Sequence, residues 1–204
     1  MKKVSWITIG VLSTLVGLYP IIYFSIDRAF GLLSTKSAEL LSDKLWNIAF
    51  YGHIVFGGLA LLIGWLQFSQ KLRIKNINLH RTIGKTYVIS VLISGICGLF
   101  IALYATGGII SITGFFTMGI IWLSSTILGF KAIKNGDVES HKKFMIFSYA
   151  ACFAAVTLRI WLPILIIIMG EFTGAYRIVS WLCWVPNIII ASFIVSKKLT
   201  PKLN

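Results

Sequence analysis

Four side chains in this sequence can do chemistry in places where an ionisable group is costly. His53, His80, His141 and Arg159 lie within long apolar runs or at their edges. Such a group in a membrane span is by default a functional candidate. Histidine offers a neutral ring nitrogen to a metal or a proton. Arg159 cannot shed its charge, so it calls for an acid, a set of carbonyls, or an anionic or oxygen-bearing ligand such as a propionate, a quinone or a lipid phosphate.

Spacing sorts the four into two layers. Residues three or four apart share a helix face. From His80 the stripe runs through Gly84, Tyr87, Val91, Ser94 and Gly98; from His141 it runs through Met145, Ser148, Cys152, Ala155 and Arg159. From His53 it passes Gly57, Ala60, Gly64 and Gln67. His80 and His141 sit where apolar runs begin after basic loops, and His53 and Arg159 fall nearer the opposite surface. Small residues on these stripes admit two readings. They let helices approach closely, or they make room for a flat cofactor with histidines as axial ligands. Buried among apolar groups, His53 should be neutral and hydrogen-bonded, with Asp27, Arg159 or a ligand as its partner.

The elements that must carry these residues follow from hydropathy. Of 204 residues, 57% are hydrophobic and only 12% charged, against about a quarter charged in soluble domains. Mean hydropathy is +0.89. A spanning helix needs about 20 apolar residues, and six runs qualify: Val4–Phe24, Trp46–Phe68, Thr86–Ala105, Ile109–Phe130, Phe144–Met169 and Ala175–Val195. The first is too long for a signal peptide and lacks a cleavage site, so it reads as a retained helix. The fifth should tilt or break near Pro163. The expectation is one all-α transmembrane domain over residues 1–204.

The net charge of +13 would suggest nucleic acid in a soluble protein, but its distribution reads as membrane topology. Lys2, Lys3, Lys71, Arg73, Lys75, Arg81, Lys85, Lys131, Lys134, Lys142, Lys143, Lys197, Lys198 and Lys202 share one side. Arg28, Lys36, Lys44 and Arg177 lie on the other, with Asp27, Glu39, Asp43 and Glu171. The positive-inside rule then places both termini in the cytoplasm, of a bacterial cell membrane. The connection from Ser25 to Lys44 carries Leu32, Leu33, Leu40 and Leu41 and suits an interfacial helix. The short turn Thr106-Gly107-Gly108 makes the third and fourth helices antiparallel neighbours. Ile74-Lys75-Asn76 before His80 echoes Ile133-Lys134-Asn135 before His141. Cys97, Cys152 and Cys183 lie in apolar runs without C-x-x-C spacing, which indicates neither disulfides nor zinc.

The combination of His53, Leu79-His80-Arg81-x-x-Gly84-Lys85-x-Tyr87, Gly136-Asp137 followed by His141, and Leu158-Arg159 resembles a bacterial family of predicted membrane proteins defined by a domain of unknown function (number 2306). The resemblance runs from the second helix to the fifth and implies a multi-pass membrane protein. More distantly, the chain is similar to membrane b-type cytochromes that reduce ferric iron or pass electrons from ascorbate. That similarity implies haem b held by His80 and His141. His53 would need a mate on the fourth helix, where Met118 is at comparable depth. It leaves His53 and Arg159 as a separate site for a quinone or a redox partner. Alternatives are transport or metal handling along His53, Arg159 and Cys152, and a structural or assembly role through the glycine faces. Nucleotide-binding loops, Ser/His/Asp sets and paired membrane carboxylates are absent from the sequence.

Overall fold

In hydrocarbon a chain must satisfy its own N–H and C=O groups, so an isolated apolar run crosses only as a helix. The computed structural model, which describes residues 3–25 and 31–199, has six helical stretches long and apolar enough to cross a membrane. They are Ser5–Ser25, Lys44–Phe68, Ile77–Ala102, Ile109–Lys134, Val138–Met169 and Phe172–Lys197. The protein is an all-α, multi-pass membrane bundle, with no strand among the described residues.

The first span is α1 (Lys3–Leu18), a 3-10 turn at Tyr19–Ile21 and the short α2 (Ile22–Ser25). A 3-10 segment at Gly31–Thr35 and α3 (Ala38–Ser42) lead to α4 (Lys44–Gly64), which closes in a 3-10 turn at Trp65–Phe68. Then come α5 (Gln70–Lys75), α6 (Ile77–Ala102) and α7 (Ile109–Lys134). The fifth span is α8 (Val138–Cys152) with α9 (Ala154–Met169), and the sixth is α10 (Phe172–Leu182) with α11 (Val185–Leu199).

Two helices start earlier than hydropathy suggests, and capping explains both. The Asn76 side chain accepts from the Leu79 N–H at 2.9 Å and starts α6 at Ile77; Asp137 accepts from the Ser140 N–H at 2.9 Å and starts α8 at Val138. A cap satisfies orphan donors whatever the hydropathy of the first turn, and lysine and arginine are good helix formers. His80 and His141 thereby occupy equivalent positions, each donating its backbone N–H to the carbonyl of its cap residue at 3.1 Å.

The fifth span breaks at Phe153, not near Pro163, which lies inside α9. The sixth breaks at Cys183–Trp184, and the two breaks face each other. Thr157 donates its hydroxyl to the Cys183 carbonyl, and Asn187 Nδ2 donates to Cys183 O at 3.0 Å and Ala150 O at 3.3 Å. A membrane helix can interrupt its ladder where a neighbour's side chain re-satisfies the freed carbonyls. Thr157 and Asn187 supply that satisfaction.

Helix α4 packs on α6, α6 on α7, α7 on α8, and α8 closes back on α4. In this ring α6 and α8 face each other across a diagonal, both starting at the end that carries the basic clusters. Helix α1 lies outside the ring on α4, α10 on α7 and α9, and α11 on α8. The ring interior is closed by hydroxyls. Tyr87 Oη meets Ser148 Oγ at 2.8 Å, and Ser148 Oγ meets Thr126 Oγ1 at 2.6 Å. Ser13 of α1 meets Tyr149 Oη at 2.8 Å. Interhelical hydrogen bonds of this kind contribute about 0.6–2 kcal/mol each in membranes.

At the far end, the described part of the connection into α4, residues 31–43, forms two short helical pieces, not one surface helix. Leu33, 1% exposed, turns inward onto Trp46 and Phe50. Lys36 Nζ donates to the Tyr104 carbonyl at 2.5 Å and to Thr106 Oγ1 at 3.0 Å, clasping this segment over the turn between α6 and α7. Partial burial lowers the Lys36 ammonium from its ordinary 10.5 to about 8. The unfolded chain then binds more protons than the folded one between about pH 8 and pH 10.5, so this group makes stability rise with pH across that window. Thermal unfolding in detergent should show the rise in the native protein, and Lys36→Met should remove it.

Candidate functional site

The sequence places four candidate residues in two layers, and in the fold the members of each pair are within electrostatic reach of one another. In the far layer, His53 sits on α4 against α6. Its Nδ1 lies 3.0 Å from the Ser94 carbonyl and 3.2 Å from Ser94 Oγ, while Ser94 Oγ donates to the His53 carbonyl at 2.8 Å. A carbonyl can only accept, so Nδ1 carries the proton and Nε2 presents a bare lone pair. Gly98 makes this seat possible, because a Cβ there would stand 2.8 Å from His53 Nδ1. Arg159, on α9, is within electrostatic reach of His53.

Among the described residues Arg159 is poorly compensated. Nη1 donates to the Ala155 carbonyl of its own helix at 2.8 Å, and the guanidinium carbon lies 4.4 Å from the centre of the Tyr19 ring. Its Nε is buried with no hydrogen-bond partner among the described residues. A cation over an aromatic face is worth about 0.5–2 kcal/mol, less than a desolvated charge requires. Tyr23 completes the surroundings. Asp27, the acid the sequence offers as a partner for His53, lies outside the described residues. Tyr19 and Tyr23 were not among the sequence candidates. Their signal was the pair of aromatics flanking Pro20 at the end of the first span, which reads equally well as an interfacial belt.

In the basic layer, His80 and His141 lie near enough to act on each other electrostatically, with Arg73 and Arg81 also beside His80. The His141 Nδ1–H donates to the Gly129 carbonyl at 2.8 Å, leaving Nε2 free. His80 Nδ1 is buried and has no partner among the described residues; the same holds for Gln67 Nε2 nearby on the 3-10 turn.

The small residues between the layers are occupied by this chain's own side chains. A Cβ at Gly84 would meet Gln67 Oε1 at 3.3 Å, at Gly57 it would meet Ser94 Oγ at 2.9 Å, and at Gly129 it would meet Met145 Sδ at 2.9 Å. Gly64 receives the rings of Tyr149 and Tyr87. Two turns beyond the histidines, Tyr87 and Ser148 join α6 to α8. The glycine faces thus serve close packing, and a flat group between His80 and His141 is restricted to the space between them and that contact. Met118 packs against the cluster of Ala154, Tyr176, Val179, Cys183 and Trp184. Cys152 is buried in the ring core beside Tyr87. No cluster of three or more potential metal ligands from His, Cys, Asp and Glu occurs among the described residues.

The family model described as predicted membrane protein (DUF2306) matches residues 50–195. The chain belongs to that family. The match contains the ring helices from Phe50 onward, both histidine layers and Arg159, and leaves α1 outside. No curated protein and no solved structure matches the chain.

Proposed function

Taking the chain as a multi-pass member of this membrane family, we propose that it is an electron-transfer protein whose far layer binds the ring oxygens of a quinone-class lipid. The observation that carries this reading is the Arg159 guanidinium, under-compensated among the described residues, within electrostatic reach of a histidine fixed as an acceptor. A quinol ring matches both. One ring oxygen accepts from Arg159, and the hydroxyl form donates its proton to His53 Nε2. The reading takes the basic end as cytoplasmic, with both termini there, in a bacterial cell membrane.

Titrating the detergent-purified protein with a short-tailed quinol tests this directly, with tryptophan fluorescence as the readout. Saturable quenching is expected. Quenching that grows linearly with quinol and never saturates would count against a site.

A second observation favours a haem partner for that site. His141 has the arrangement of a ligating imidazole, with Nδ1–H on a carbonyl, and His80 Nδ1 is buried with no partner among the described residues. This donor set fits haem b held between His80 and His141. The group would supply one-electron transfer. The chain's own part is to fix the His141 ring through Gly129 and to close the space beneath with Tyr87 and Ser148. Protein expressed with haem precursor should show a b-type α-band on dithionite reduction, lost in His80→Ala and His141→Ala. A flat spectrum from folded protein would remove the haem and leave the quinone site standing on its own titration.

A further inference from the structure

A separate feature lies at the basic end, beside the first turn of the helix that carries His80. Between α5 and the start of α6 is an open groove of about 330 Å³ lined by Lys71, Leu72, Lys75, Asn76 and Leu79. Lys71 and Lys75 are four residues apart on α5, so their ammonium groups stand over one face. Asn76 spends its side-chain oxygen on capping Leu79, and its Nδ2 donors remain. The groove therefore offers donors and positive charge over an apolar floor of two leucines.

Its surroundings say what kind of occupant suits it. The sequence holds no acidic residue between Asp43 and Asp137, so no nearby carboxylate in that stretch neutralises the lysines. Ile74 is 75% exposed, and Ile77 and Leu79 are exposed beside it. Bare isoleucines interleaved with lysines at the rim of a spanning bundle suit the level where headgroup and acyl chain meet. Basic pockets at this level favour anionic headgroups.

We propose that this groove binds an anionic phospholipid, its phosphate held by Lys71, Lys75 and the Asn76 amide and its acyl chains lying against Leu72 and Leu79. The site rests on neither the quinone nor the haem reading. Removing one lysine should weaken binding about five-fold, the equivalent of roughly 1 kcal/mol per basic residue near a charged membrane surface.

The test is native mass spectrometry of the full chain released from detergent with phosphatidylglycerol or phosphatidylcholine added. Phosphatidylglycerol should bind preferentially at one site, and Lys71→Ala with Lys75→Ala should remove most of that binding. Lys131→Ala with Lys134→Ala, which deletes the same charge elsewhere at the basic end, should leave it intact. Equal loss in both pairs would mean general surface charge and overturn the site. Equal binding of phosphatidylcholine would also overturn it. So would full competition by glycerol phosphate, which would show that a soluble phosphate suffices.

Discussion

Arg159→Gln is expected to weaken quinol binding by about 10- to 150-fold, the range set by losing a hydrogen bond from a charged donor worth roughly 1.5–3 kcal/mol. Among the described residues the Arg159 hydrogen bond goes to its own helix, its Nε has no partner, and the Tyr19 ring stands over the guanidinium. A guanidinium in that position is held at a cost that a bound oxygen would offset. The same substitution should leave the unfolding midpoint unchanged or raise it, since replacing an under-compensated charge relieves desolvation. These two readouts separate a ligand-binding role from a structural one. If Arg159 only braces α9 against Tyr19, the variant will lose stability and bind quinol as the native protein does, and the proposed site fails.

Gly58→Leu should detach α1 from the bundle. Helices α1 and α4 cross backbone to backbone. A Cβ on Gly58 would stand 2.6 Å from the Gly17 carbonyl oxygen, and one on Gly17 would stand 2.9 Å from the Gly58 oxygen. No rotamer change relieves a clash with main chain, so even Gly58→Ala must push the helices apart. Overpacking of this kind costs about 1–3 kcal/mol, and the separation also breaks the Ser13–Tyr149 bond that pins α1 to α8. Leucine adds further volume at the tightest point of the crossing. Cysteine pairs introduced across α1 and α4 should cross-link readily in the native background and poorly in Gly58→Leu. Unchanged cross-linking would mean that the crossing does not depend on the glycine pair. His80 and His141 lie on α6 and α8 and not on either crossing helix, so their layer should survive the change. His80 and His141 spectra, where haem is present, offer an internal control.

The glycine stripes show where reading the sequence stopped short. Spacing alone could not separate close packing from a cofactor slot, because both require an absent side chain on one face. What decides between them is the group that fills the notch, and that group comes from another helix. Gln67 covers Gly84, Ser94 covers Gly57, and the His53 ring fills the space at Gly98. The partnership of His53 with Ser94 was equally hidden. Both residues were visible on their stripes, but their pairing joins positions 41 residues apart. Tyr19 was missed because an aromatic at a span's end is ordinary until a cation is found over its face.

The sequence by itself determined the six spans, because a helix in lipid satisfies its own backbone and needs only a sufficient apolar run. It also determined the grouping of the histidines and Arg159 into two layers, because depth along a helix is a count of residues. Tertiary structure alone decided that α6 and α8 face each other across a four-helix ring. It also placed the fifth span's break opposite the sixth's, where Thr157 and Asn187 meet the freed carbonyls, and not at Pro163. Lipid and a neighbouring helix are nearly equivalent surroundings for an apolar side chain, so hydropathy carries no information about which helix is the neighbour. That choice is made by notches, hydroxyls and caps that find their partners only when distant segments pack.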